Sequence, residues 1–330
     1  FFIRSFSKRF DKNARNNWKR YLWQCVYVLW SLNRIGKMTD IATADLLKIE
    51  NFFQETQSSW SSQLNTYENT SWREKRHTSS NHTSIARSIS HGCIFEKAAI
   101  NFSSIEGSKL SSSALQHHDP AIANQPFCAF NVSMILHPNN PHVPVLHANM
   151  RFFQTLTAHP YWWFGAAMDL NPCYGYRDDC VHWHTTCHKA CDGFGTGLYQ
   201  KLKSACDEYF YLPHRQEHRG IGGLWLEYHN TPPFQNAFAL VQSIGHHVMP
   251  GYLPILARRY QQDYTPEQKK FQMLRRGRYA EFNLLCDRGT RYGLQSSKKA
   301  DTVLVSMPPQ CIWEIDYPIT SGSPEALLVS

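Results

Sequence analysis

Three polar residues spaced two apart, His147, Asn149 and Arg151, lie within LHANMRFF (146–153). In an extended chain alternate side chains share a face, so these three project together while Ala148, Met150 and Phe152 take the other side. An imidazole can move a proton near neutral pH, an amide can orient a partner, and a guanidinium can grip a carboxylate through two parallel N–H bonds. The next apolar run, YWWFGAAMDL (161–170), ends in a single acid, Asp169, able to hold a donor or take a proton. The competing readings are a solvated strand face for the first group and a turn cap before Pro172 for the acid.

Two later words add charge. DEYFYLPHRQEHRGIGG (207–223) sets His214, Arg215, His218 and Arg219 against a glycine-rich turn, and RRGRYAEFN (275–283) adds Arg275, Arg276 and Arg278. With Arg151 these make six arginines, a set suited to a polycarboxylate ligand; internal pairing with Glu217 and Glu281 is the structural alternative. His182, His184 and His188 stand beside Cys180, Cys187 and Cys191, and His184 and His188 are one helical turn apart, but no regular zinc spacing is present. Phe194 stands where an iron–sulfur triplet needs its third cysteine. Gly193-x-Gly195-x-Gly197 lacks the dinucleotide pattern, and no phosphate-binding GxxxxGK[ST] occurs.

Positioning these groups requires regular elements. An amphipathic helix is predicted over 40–67, an irregular loop over 68–92, and strands over 93–104, 127–136, 146–156, 161–168, 221–228, 278–286 and 301–307. Helices are predicted over 178–192, 195–212, 233–249, 252–262 and 266–276. Strands that follow one another without a helix point to an α+β domain with an antiparallel sheet covered by helices. The 330 residues carry a net charge of +8, but residues 1–37 hold nine Lys/Arg against one acid, leaving 25 of each sign in the rest. A neutral body argues against nucleic acid as a partner. The leading segment reads either as a basic organelle-targeting leader or as upstream sequence outside the native protein, with the domain occupying 38–330. Its apolar run Tyr21–Leu32 is too short to span a bilayer, so no integral membrane segment is expected. Ten cysteines without a CxxC pair suit reduced thiols in a cytosol-like compartment.

The words IFEKAAINFS (94–103), VSMILHPNNPHVPVLHANMRFF, WWFGAAMDLNPCYGY, VHWH, CDEYFYLPHRQEHRGIGGL, RRGRYAEFNLLCDRGTRYGLQ and VLVSMPPQCIWEIDY, in this order from about Ser71 to Glu325, together resemble the oxygen-dependent coproporphyrinogen III oxidases. The resemblance implies a single domain with a flat seven-stranded antiparallel sheet flanked by helices on both faces, working as a homodimer. It implies oxidative decarboxylation of two propionates of coproporphyrinogen III to vinyl groups, giving protoporphyrinogen IX, with O2 as co-substrate and no obligatory redox cofactor. By position, His147 matches a proton donor and Asp169 an acid that holds pyrrole N–H groups. Ser133, Asn149, Met150 and Arg151 match substrate contacts, Ser297, Lys298 and Lys299 a substrate-binding turn, and 279–314 the dimerisation region. His137, His147, His184 and His214 match positions assigned to a divalent metal in some members. The expected location is cytoplasmic if residues 1–37 are not native, or mitochondrial if they are a presequence.

Departures from the family pattern are specific. REKRHTSSNHTSIARSISHGC follows Trp72 in place of a glycine-rich loop, Ala166 and Ala167 stand for glycines, Glu227–Tyr228 replaces paired aspartates, and Ser297–Lys298 replaces a later glycine. They support an alternative, a catalytically impaired relative that binds a porphyrinogen. A histidine-metal hydrolase or oxygenase is a third reading, requiring the four histidines to converge.

Overall fold

A computed structural model describes residues 43–110, 122–231, 233–295 and 300–328; the predicted leader and the Ser297–Lys299 turn lie outside the described residues. Helix α1 (Thr43–Leu64) precedes strands β1 (Arg73–Thr78), β2 (His82–Ser90), β3 (Phe95–Gly107), β4 (Phe127–Pro138), β5 (Val145–Thr155) and β6 (Trp162–Asn171). Helices α2 (Arg177–Cys191) and α3 (Leu198–Tyr209) follow, then a small hairpin of β7 (Tyr211–Leu212) and β8 (Glu217–His218), and strand β9 (Gly222–His229). The chain continues through α4 (Phe234–Arg259), α5 (Pro266–Leu285), α6 (Arg288–Gln295) and the single turn α7 (Ala300–Val303). The main sheet has seven strands in the order β1-β2-β3-β4-β5-β6-β9, every pair antiparallel. The α+β single body expected from the sequence is the one found.

Alternation separates the two faces of the sheet. Ile100, Val132, Ala148, Met150, Phe152, Phe164, Met168 and Leu224 are buried on one face, packed against Phe53 and Trp60 of α1, Trp183 of α2, and Val241 and Ile244 of α4. Hydrophobic burial on this scale, about 1.5–3 kcal/mol for each large side chain, fixes which face points inward. On the opposite face α5 covers one end, where Tyr279 packs on Ala99, Ile135 and Val145. Helix α5 also anchors to the strand ends, with Arg276 bonded to Glu96 and to the Pro138 carbonyl.

Four sequence expectations are corrected. Residues 73–90 form the β1–β2 hairpin rather than a loop; β1 is exposed throughout and β2 buries only Ile85 and Ile89, too few apolar residues to display a period of two. Segment 278–286 continues α5 as a helix, started by a complete Thr265–Gln268 capping box with Pro266 in its first turn. Residues 301–307 fall in α7 and a 3-10 turn instead of a strand. The two helices expected over 233–262 are one, with Pro250 and Pro254 inside α4. Burial of Met249, Tyr252, Ile255 and Leu256 outweighs a proline penalty of about 3 kcal/mol.

The loop leading into β3 is held by one carboxylate. Glu68, 2% exposed, accepts N–H bonds from Thr70 (2.9 Å), Cys93 (3.0 Å), Ile94 (2.8 Å) and Phe95 (2.9 Å). Burial raises its pKa, but these backbone donors outweigh burial and hold the carboxyl below its ordinary value. Glu68→Ala leaves four donors without an acceptor, so a loss of about 3 kcal/mol is expected in urea unfolding at unchanged m-value. A loss under about 1 kcal/mol would show that water replaces the carboxylate freely.

Candidate active site

Register builds the site. On the face opposite the main core, Ser133 of β4 pairs with Asn149 of β5, which pairs with Ala167 of β6; one row away Asn131 pairs with Arg151, which pairs with Gly165. In the row on the other side Ile135, His147, Asp169 and Gly223 stand across four consecutive strands. Directly opposed residues lie about 4.5–5.5 Å apart, so Ser133, His147, Asn149, Arg151 and Asp169 form one contiguous polar patch. Met150 is excluded from it. The two-residue period turns its side chain to the other face, where it is 1% exposed in the core, which leaves only its backbone on the patch side.

Asp169 is fully buried and Arg219 is its ion-pair partner, with Nη2 to Oδ2 at 2.6 Å. Asn171 donates a second bond to the same oxygen at 2.7 Å. The Arg219 guanidinium lies over the rings of Phe210 (4.1 Å), Tyr279 (4.4 Å) and Phe282 (4.7 Å). The six-arginine expectation is therefore corrected. Arg215 pairs with Glu281, Arg275 with Glu217, Arg276 with Glu96, and Arg278 with both Glu217 and Glu281. Among the described residues Arg151 is the member of the set with no carboxylate partner, its guanidinium 5.6 Å from the centroid of the Trp225 ring.

Buried polar atoms without a protein partner include His147 Nδ1, Asn149 Oδ1, Arg151 Nε and Asp169 Oδ1 on the patch, and others off it, among them His137 Nδ1, Arg219 Nε, Arg275 Nε, Arg276 Nε and the Gln154 amide. Native proteins rarely leave such atoms unsatisfied, and four on adjacent strand positions mark a place where something else bonds. Burial, reinforced by the Arg219 charge, pushes the His147 imidazole down to about 4 despite the opposing influence of Asp169, so it rests neutral at physiological pH. A neutral ring is able to accept a proton.

The four histidines matched to metal positions have separate surroundings. His137 is fully buried and donates from Nε2 to the Ser306 carbonyl at 2.9 Å; His147 packs edge-on against Phe210. His184 contacts the Tyr199 hydroxyl at 3.1 Å on α2, and His214 bonds Glu281 at 2.7 Å. Among the described residues no group of three or more His, Cys, Asp or Glu side chains is placed to hold a metal ion. The convergence required by the histidine-metal reading is not found, because four different elements carry these rings to different neighbours.

Aromatic groups bound the patch. Phe127, Phe153 and Trp163 stack in series at one end, with centroids 5.5 and 5.7 Å apart, and Tyr228 meets Trp163 edge-on. Along β9, Trp225 stacks on Tyr209 at 3.8 Å, and Ala167 is buried in the same cluster with Phe210 and Phe282. Sequence reasoning missed two charges here. Asp287 accepts from the Tyr209 hydroxyl at 3.0 Å, and Arg288 pairs with Glu227 at 2.6 Å while lying over the Tyr209 ring. Their signal was the adjacent acid–base pair in LLCDRGT, just past the segment 278–286 read as a strand. Glu227 itself sits at a β-bulge, where the ladder shifts register between Phe164 and Ala166 and Tyr228 takes φ +48°.

A family profile described as coproporphyrinogen III oxidase matches residues 48–330. The chain belongs to the coproporphyrinogen III oxidase family. Membership places it among oxidoreductases of haem and porphyrin biosynthesis, and the polar patch lies where the matched words His147–Arg151 and Asp169 are brought together. Among the described residues no helix is long and apolar enough to cross a membrane.

One fully buried and one part-buried imidazole make stability depend on pH. Burial pushes His137 from 6.5 down to about 3, and His147 to about 4, so below pH 6.5 the unfolded chain takes up protons before the folded one. Stability present above about pH 6.5 is therefore lost as pH falls toward 4. The melting temperature is expected to drop across that interval, and His137→Gln to flatten the slope. An unchanged slope in the variant would remove His137 from the account.

Proposed function

We propose that this chain carries out the oxygen-dependent oxidative decarboxylation of two propionates of coproporphyrinogen III, giving the two vinyl groups of protoporphyrinogen IX. The observation that carries this reading is the cluster of unsatisfied buried atoms on His147, Asn149, Arg151 and Asp169, beside the one arginine of six that lacks an acid. A tetracarboxylate macrocycle with inward-facing pyrrole N–H groups supplies partners of both kinds.

Each arm balances as propionate plus O2 plus one proton giving vinyl, CO2 and hydrogen peroxide. The C–C bond to the carboxyl group breaks, one C–H bond at the β-carbon breaks, and the two electrons released reduce O2. The pyrrole is electron-rich enough to release those electrons, so the scheme calls for no redox cofactor, and a divalent cation has no step in it. Arg151 grips a carboxylate bidentately. Ser133 and Asn149 hydrogen-bond the macrocycle edge, the free Oδ1 of Asp169 accepts a pyrrole N–H, and neutral His147 takes the β-proton.

A homodimer fits the same reading. Leu284 (49%), Leu285 (61%), Leu294 (44%), Trp313 (55%) and Ile315 (92%) are exposed within or beside 279–314, and association would cover them. The alternative, binding with impaired turnover, is favoured by one feature: Ala167 stands where the family pattern has a glycine and is buried in a cluster with Trp225, Phe210 and Phe282.

Coproporphyrinogen III incubated with the protein in air and under nitrogen separates the two readings: turnover confined to air supports the first, and binding without product supports the second. His147→Ala is expected to keep the fold and lose about 10²–10⁴ in kcat. Arg151→Lys is expected to raise KM about tenfold with a smaller change in kcat, since an ammonium cannot reproduce the two-point grip. Unchanged kinetics in both would remove the assignment of this patch.

A further inference from the structure

Arg219 reaches its place by a close passage of backbone. Its own N–H bonds the Phe210 carbonyl at 3.1 Å, and the next residues, Gly220 and Gly223, lie so near β6 that a Cβ at either would collide with the carbonyls of Leu170 and Met168 respectively. This turn delivers a guanidinium into the domain interior rather than to a surface. The Arg219 side chain is 1% exposed, its Nη2 is taken by Asp169 and its Nη1 by Asn283 at 3.0 Å, and rings of Phe210, Tyr279 and Phe282 enclose it. At 1% exposure this cation has no open surface for a substrate carboxylate, although its Nε has no protein partner.

We propose that Arg219 is a positioning residue for the decarboxylation, holding Oδ2 of Asp169 inside the aromatic sleeve so that Oδ1 is the one acceptor of that carboxylate presented to the substrate. The inference rests on the proposed function, because it presupposes that Asp169 meets the macrocycle. Two anchors on Oδ2, from Arg219 and Asn171, fix the rotation of the carboxylate, while Oδ1 has no protein partner. A lysine in the same place keeps a charge but not the fork that bonds Asp169 and Asn283 together. Arg219 thus acts through Asp169, whereas Arg151 acts on the substrate directly, and the two must fail differently. Loss of orientation affects the transition state and appears in kcat; loss of a carboxylate grip weakens binding and appears in KM.

The test compares Arg219→Lys, Arg219→Ala, Asn283→Ala and Arg151→Lys in full-length protein, with melting temperature measured alongside kcat and KM for coproporphyrinogen III. Arg219→Lys is expected to lose about 100-fold in kcat with KM within about threefold, and Asn283→Ala to show the same split at about three- to tenfold. Millimolar guanidinium is expected to restore at least about tenfold of the kcat lost in Arg219→Ala by reoccupying the sleeve. Should removal of a buried ion-pair partner prevent folding of the Arg219 variants, Asn283→Ala, which leaves the pair in place, decides the matter. A raised KM with kcat preserved would make Arg219 a substrate clamp and overturn the proposal, as would wild-type kinetics in Asn283→Ala and Arg219→Lys. Absence of aerobic turnover in the unmodified protein would instead sink the proposed function itself.

Discussion

Antiparallel register across β4, β5, β6 and β9 is the constraint from which the rest follows. Because side chains alternate, a slip of one residue in any of these strands would carry its polar members to the core and its apolar members to the patch face. In the observed register Ser133, Asn149, His147, Asp169 and Arg151 all face the same way, and the large apolar residues between them bury against α1, α2 and α4. The hydrophobic energy of one face therefore enforces the chemistry of the other. Rigidity comes with it, since a site carried on paired strands moves less than one carried on loops.

Charge is distributed by the same architecture. A neutral, part-buried imidazole and a fully buried carboxylate are neighbours across β5 and β6, and the cation that balances the carboxylate arrives from a distant turn. Burying the Asp169 carboxyl alone would be costly, and the paired guanidinium with its ring enclosure offsets that cost. The other arginine-rich words serve the scaffold: Arg275, Arg276 and Arg278 tie α5 to Glu217, Glu96 and Glu281 and so clamp the helix over one end of the sheet. That clamp keeps Tyr279 and Phe282 over Arg219.

The departures from the family pattern have unequal consequences. The hairpin replacing a glycine-rich loop adds an edge strand whose charged face is exposed throughout, a form that resists edge-to-edge association. Ala166 is absorbed by the core, where a methyl group adds contact, while Ala167 lies on the patch face, buried in an aromatic cluster. Glu227 finds Arg288, so the replaced acidic word still carries an ion pair.

Periodicity in the amino-acid sequence by itself determined five of the seven sheet strands, the antiparallel α+β class and the shared face of His147, Asn149 and Arg151, because alternation is a local property visible in a few residues. Family words did the same for Asp169 and Ser133. Local pattern failed where it was thin or two-sided: the hairpin at 73–90 buries two isoleucines, and 278–286 has enough β-branched-free aromatic spacing to suit either period until α5 is seen to dock by Tyr279 and Phe282. Only the tertiary structure decided which arginine is free. Ion-pair partners such as Arg219 and Asp169 stand 50 residues apart in the chain, and whether a guanidinium meets an internal acid or a ligand depends on distances that no spacing along a sequence records.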